Sequence, residues 1–257
     1  MDKTVLITGG SKGIGKYTAG YLATLGYRII INYRSNDEHA INFTAELSQI
    51  SNQECIAIKA DIASKQGSLS ILEQLKNHGV SKIDILVHNA GPYISERKKM
   101  TDYSYEEWDQ MINGNLNAVF YLSKHIIPMM RNQSWGRLIM FGYDRVDSAP
   151  GWLYRSAFAS AKSGLASLTK TIAMEEAENG ITANMICPGD IEGEWKELGI
   201  KDTAGSDDHE NPVGRPGSGE DIARVLSFLV HEDSGFITGA IIPVTGGKDV
   251  LGKIHKQ

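Results

Sequence analysis

The residues best placed to do chemistry stand near the start of the chain. Thr8-Gly9-Gly10-Ser11-Lys12-Gly13-Ile14-Gly15 joins an apolar run to an amphipathic stretch. Gly9, Gly13 and Gly15 let a backbone turn sharply and approach a ligand closely. Ser11, Lys12 and Ile14 complete a turn that opens a helix, whose free N–H groups and positive dipole suit a pyrophosphate. A magnesium-binding phosphate loop is the rival reading. It needs Ser or Thr after Gly15-Lys16, where this chain has Tyr17. The next informative residues close the second apolar run, Asn32-Tyr33-Arg34-Ser35. A base there favours the 2′-phosphate of NADP, and an acid the free ribose of NAD. Arg34 with Ser35, and Lys12 from the glycine turn, point to NADP as cofactor, with NAD the lesser choice. Asp37 and Glu38 read as the opening of the following helix.

Such residues need strands and helices to position them. Apolar runs at Thr4–Thr8, Arg28–Tyr33, Cys55–Ile58, Ile83–Val87, Arg137–Phe141, Thr182–Ile186 and Ala240–Val244 read as buried parallel strands. Helical patterns fall between them: Lys12–Leu25, Asp37–Gln49, Ser68–Lys76, Tyr105–Met130, Phe158–Glu178 and Asp221–Val230. The alternation predicts an α/β fold: one doubly wound parallel sheet of about seven strands, Rossmann type, with helices on both faces. No repeat, low-complexity tract or linker divides residues 1–257, so a single domain is expected. Two stretches break the rhythm after strand ends, 142–157 and 190–219. The second, rich in Gly, Asp, Glu and Pro, reads as a substrate lid.

Composition narrows the classes. The chain has 257 residues, 41% hydrophobic and 22% charged, with a formal net charge of −5. That is ordinary globular usage. The acidic balance and the absence of a basic run argue against nucleic acid as partner. Cys55 and Cys187 cannot form a disulfide framework and read as buried thiols. No segment approaches the ~18 apolar residues of a membrane span, and Met1-Asp2-Lys3 leads directly into a strand. A cytoplasmic protein without a membrane partner or a metal site is expected.

The glycine turn and several later motifs together resemble the classical short-chain dehydrogenase/reductases, nearest to the 3-oxoacyl-[acyl-carrier-protein] reductase type, over essentially the whole chain. Asp61-Ile62 matches the family's adenine-contacting acid and its neighbour. Asn89-Ala90-Gly91 matches the motif that lines the cofactor. Asn115 matches the asparagine of the catalytic tetrad, and Lys162 the lysine. Pro188-Gly189, with Ile191, matches the segment beside the nicotinamide. Gly136-Arg137 and Thr238-Gly239 also fit. The resemblance implies a nicotinamide cofactor, a carbonyl or alcohol substrate and a homotetramer. The expected subunit contacts are the two long helices and the final strand with its tail, with Tyr121, Leu122, Ile126, Ile127, Leu165, Leu168 and Ile172 supplying a second apolar face.

Three positions depart from the family. Its tyrosine, four residues before the lysine, is Phe158. Its serine after strand five is Tyr143, and the interval between the two is two residues longer than the usual spacing. The threonine after Pro188-Gly189 is Gly193. In the family the tyrosine exchanges a proton with the substrate oxygen and the lysine lowers its pKa; Phe158 has no proton to give. Tyr143 as a relocated phenol, Tyr154 as a hydroxyl from the loop, and a site that binds cofactor with little turnover all remain open. His88 reads as a hydrogen-bonded structural histidine. Asp144, Arg145 and Asp147 read as a polar loop, in which Arg145 is a candidate for an acidic substrate group. The expected function is reduction of a carbonyl, a 3-oxoacyl thioester or related ketone, to an alcohol, or the reverse, with NADP. The alternative is an NADP-binding sensor or oligomeric partner.

Overall fold

The computed structural model describes residues 3–203 and 205–251. Seven parallel strands form one sheet in the order β3-β2-β1-β4-β5-β6-β7. They are β1 (Thr4–Thr8), β2 (Arg28–Tyr33), β3 (Ile56–Lys59), β4 (Ile85–His88), β5 (Gly136–Phe141), β6 (Ile181–Pro188) and β7 (Ile241–Val244). The order reverses between β1 and β4, where doubly wound sheets open a crevice beyond the strands' carboxyl ends. Side chains alternate by face. Leu6, Ile30, Ile58, Leu86, Leu138, Met140 and Met185 pack on one side, Val5, Ile7, Ile29, Ile31, Val87, Ile139 and Ile186 on the other. Both faces are covered, which is why the strands carry continuous apolar runs.

One helical layer contains α1 (Gly13–Thr24), α2 (Asp37–Ser51) and α8 (Gly219–Val230). The other contains α3 (Lys65–Asn77), α5 (Ala118–Asn132) and α6 (Ser156–Glu175), with α4 (Tyr105–Ile112) leading into α5. A short α7 (Ile200–Thr203) follows a 3-10 turn at Gly193–Glu197. The caps are local chemistry. Asn36 accepts from the His39 N–H with Asp37 and Glu38 in the first turn of α2, as expected of those two acids. Ser104 and Ser218 form capping boxes with Glu107 and Asp221.

The structure revises three expectations. The helix expected over Tyr105–Met130 is interrupted by a π turn at Asn113–Asn117 before α5 continues to Asn132. The helix expected to reach Glu178 ends at Glu175. The apolar set offered as a second face is mostly core: Leu122, Ile126, Ile127, Leu165 and Ile172 are buried within the chain. The apolar side chains left outside are different ones, among them Phe120, Leu153, Met174, Phe228 and Phe236. The tail, residues 252–257, lies outside the described residues. Both cysteines are buried and free, as expected.

Candidate active site

Because all seven strands run the same way, the loops after β1, β2, β3, β4, β5 and β6, which carry the candidate cofactor residues and the aromatic positions, emerge on one edge of the sheet. The turn after β1 is held by the loop after β4. Asn89 Nδ2 donates to the carbonyls of Thr8 and Gly9, both at 3.0 Å, and the Ala90 N–H donates to Thr8 Oγ1 at 3.1 Å. Gly9 has φ +63° and Gly13 φ +59°, backbone that disfavours any side chain. At Gly15 a Cβ would lie 2.4 Å from Asn89 Nδ2, so the asparagine seats against the start of α1 only because that residue is glycine. The amino end of α1 thus faces the crevice. Lys12 and Arg34 are exposed and, among the described residues, neither is in an ion pair. Ser11 is half-buried, Ser35 is exposed, and Ile62 is buried under the exposed Asp61, whose Oδ1 accepts from the Ala63 N–H.

Deeper in the crevice, Asn115 sits in the π turn, a feature that often marks functional sites. Its Nδ2 donates to the carbonyls of Pro92 (2.9 Å) and Met111 (3.1 Å). Its Oδ1 is buried without a hydrogen-bond partner. A Cβ on Gly91 would lie 2.4 Å from that oxygen and 3.7 Å from Lys162 Nζ. Gly91 is therefore the floor over which Asn115 and Lys162 approach each other. Lys162 is buried on α6, and no carboxylate among the described residues pairs with it. Burial pulls its ammonium down to about 8, with Cys187 acting weakly in the opposite sense. The ammonium lies 5.6 Å from the centre of the Phe158 ring, one helical turn earlier.

Aromatic rings wall this side of the crevice. Phe158 meets Tyr93 edge-on at 5.1 Å, Trp152 at 6.0 Å and Tyr143 at 6.3 Å. The Tyr143 hydroxyl donates towards the Pro150 carbonyl (3.3 Å) and shares a hydrogen bond with Ser163 Oγ (3.2 Å). Burial pushes that phenol above its ordinary value, although the bond to Ser163 works the other way. Tyr154 lies on a left-handed turn at φ +64°, its carbonyl accepting from Tyr103 Oη. Arg155 fastens the loops together, donating to Tyr93 Oη at 2.7 Å and to the carbonyls of Ser95 and Glu96.

After β6, the Gly189 N–H donates to the Val244 carbonyl, and a Cβ on Gly189 would meet Thr245 at 2.8 Å. This fixes Pro188-Gly189 at the crevice rim, and the Ile191 N–H turns back to Gly189. His88 is a buried neutral imidazole bonded to Ser123 Oγ at 2.9 Å. Burial first, and Lys162 second, hold it down at about 3. Arg145, considered for an acidic substrate, is instead paired with Asp144 and Asp249. Among the described residues no group of three or more His, Cys, Asp or Glu gathers as a metal site. None of the described helices is long and apolar enough to cross a membrane.

Sequence reading missed Tyr93, Arg155, Ser163 and Glu197. Tyr93 follows Gly91 by two residues and Ser163 adjoins Lys162, so proximity in sequence could have flagged both. Glu197, whose carboxylate reaches Gly13 and Lys16, gave no local signal.

Known proteins resemble this chain along nearly its whole length. A family model described as Enoyl-(Acyl carrier protein) reductase matches residues 9–249. YtkK of Bacillus subtilis (strain 168), provisionally named an oxidoreductase, is 49% identical over 249 residues, covering 96% of this chain and 97% of that protein. An acetoacetyl-CoA reductase of Rhizobium meliloti (strain 1021) is 34% identical over 249 residues, covering 96% of this chain and 99% of the relative. A solved structure from Bacillus thuringiensis, provisionally named a 3-oxoacyl-reductase, superposes with a TM-score of 0.90 at 47% identity, covering 98% of this chain and all of the other. A Rossmann-type parallel sheet, the glycine turn it presents and relatives matched along nearly their full length lead to one assignment: the chain belongs to the short-chain dehydrogenase/reductase family, is 3-oxoacyl reductase-like, and is an oxidoreductase.

Proposed function

We propose that the protein reduces the carbonyl of a 3-oxoacyl thioester or related ketone to an alcohol, with NADPH as reductant. The observation that carries the reading is the convergence of Asn115, Lys162 and the glycine turn on one crevice. The donor set fits a dinucleotide phosphate. The turn offers glycine N–H groups at the amino end of α1, and Lys12 and Arg34 are exposed cations near strand ends. The acetoacetyl-CoA reductase relative supports a 3-oxoacyl thioester as substrate class. A dinucleotide held by these residues would supply the hydride that reduces the carbonyl carbon.

The protein must supply the balancing proton to the carbonyl oxygen. Phe158 has none, and the Tyr143 proton is engaged by Pro150 or Ser163. That arrangement favours Tyr143 as a wall over Tyr143 as a relocated acid. Tyr154 lies outside the aromatic contacts around Phe158 and is kept only as a second candidate hydroxyl. Lys162 is the remaining donor: an ammonium at about 8 is matched to proton transfer near neutral pH. It releases its proton through a bridging water, and solvent restores it along the Asn115 side, where Oδ1 lacks a protein partner. Asp61, Ile62, Asn89, Ala90, Gly91, Pro188, Gly189 and Ile191 line the cofactor's length, and residues 190–219 cover the substrate.

The exposed Phe120 on α5, Met174 on α6, Phe228 on α8 and Phe236 before β7 support a homotetramer. The function is tested by fluorescence titration with NADPH and NADH, followed by NADPH consumption with 3-oxoacyl thioesters and ketones. Tighter binding of NADPH, lost in Arg34→Ala, and turnover of a thioester are expected. Binding without turnover on any carbonyl would replace the reductase with a dinucleotide-binding protein.

A further inference from the structure

We infer that Glu197 is a gate residue, its carboxylate holding the phosphate-binding end of α1 so that the 193–197 turn must lift before a dinucleotide can bind. The inference rests on the cofactor reading above and adds a step to it. The Gly13 N–H donates to Glu197 Oε1 at 2.6 Å, and Lys16 Nζ donates to Oε2 at 2.8 Å. One carboxylate therefore engages both an N–H at the helix's positive end and the cation of its first turn. These are charge-assisted bonds of the kind a phosphate oxygen would make. A carboxylate and a pyrophosphate repel each other and cannot share these donors.

The turn is seated on the body of the protein. Trp195 packs against the apolar layer beneath α1. The Lys196 carbonyl lies so close to α8 that a Cβ on Gly219 would stand 2.3 Å from it. Lys196 also roofs Gly13, its Cβ and Cδ 3.8 Å from where a side chain there would begin. The amino side of the turn carries no such packing at Gly193. Gly193 has φ +52° and open space around it. This chain has no side chain there to anchor an open or a closed position. A closed gate lowers apparent affinity by the fraction of molecules in which it is open.

The test is Glu197→Gln, which keeps the size and removes the charge. Glu194→Gln, an exposed acid on the same turn, is the control for a change in net charge. Fluorescence titration with NADPH is expected to give a Kd about tenfold lower for Glu197→Gln than for the parent, and an unchanged Kd for Glu194→Gln. Amide hydrogen exchange of the parent gives a second readout that needs no variant. Residues 193–197 and Gly13 should exchange on separate schedules once NADPH is saturating, with 193–197 faster and Gly13 slower than in the free protein. An unchanged or higher Kd for Glu197→Gln, or a 193–197 turn equally protected with and without NADPH, would overturn the gate. If neither parent nor variant binds NADPH or NADH, the cofactor reading itself fails and the gate falls with it.

Discussion

Phe158→Tyr would place a phenol beside a buried ammonium that has no carboxylate partner. The distance from Lys162 Nζ to the ring centre, 5.6 Å, sets the scale of their coupling. With an effective dielectric of about 20, a phenolate and an ammonium at that separation attract by about 3 kcal/mol, or about 2 pH units. Burial opposes this, as it does at Tyr143, whose phenol is pushed up. The new phenol and Lys162, itself held at about 8, should therefore titrate as a coupled pair, with the phenolate midpoint falling below its ordinary value of about 10. Ultraviolet difference titration of the phenolate band, parent against variant, reads that value directly. Adding Lys162→Met should return it to 10 or above. In turnover, Phe158→Tyr alone should give a small gain, because the Tyr143 ring crowds the space beside it. Adding Tyr143→Ser should carry the gain towards the ~10²–10⁴ of a positioned acid. The two changes should be non-additive, since the rings are neighbours. A phenol that titrates at or above 10 whether or not Lys162 is present would refute the electrostatic argument, whatever the rates.

Tyr143→Phe should leave turnover within a few-fold of the parent, because the hydroxyl bonds to Pro150 and Ser163; loss of all activity in a steady-state assay would instead make Tyr143 the acid. His88 titrates at about 3 when folded and at about 6.5 when unfolded, so the unfolded chain takes up the proton first. Its contribution is whole above about 6.5 and is lost as pH falls, by about 1.4 kcal/mol per pH unit down to about 3. Urea unfolding at stepped pH should show a shallower acid loss for His88→Asn than for the parent; parallel slopes would contradict it. Light scattering of the parent at micromolar concentration should give a tetramer, and Phe120→Glu with Met174→Glu should give smaller species, given how exposed both side chains are. A monomeric parent would end that proposal.

The sheet was legible in the sequence because a parallel strand covered on both faces must be apolar along its whole length, as Val5-Leu6-Ile7 and Ile29-Ile30-Ile31 are. The turn between β1 and α1 was legible for a similar reason, since positive φ at Gly9 and Gly13 is a local demand that local residue types reveal. So were the buried cysteines and the opening of α2 by Asp37 and Glu38. The edge of α6 was less so: a helical pattern runs past Glu175, yet the chain leaves the helix there for a 3-10 turn.

Tertiary structure alone decided the rest. The faces of α5 and α6 that meet the core depend on how each helix is rotated against the sheet, which is why Leu122 and Leu165 proved to be interior and Phe120 and Met174 outside. The π turn around Asn115 is tied to Pro92 on another loop, a contact no helical period can show. The direction of the Tyr143 hydroxyl depends on Ser163, 20 residues away, and the seat of Glu197 on Gly13, 184 residues away. A single side chain's partner is chosen by whatever the fold brings within about 3 Å. Residue type and spacing name the candidates for such contacts, and only the packed chain selects among them.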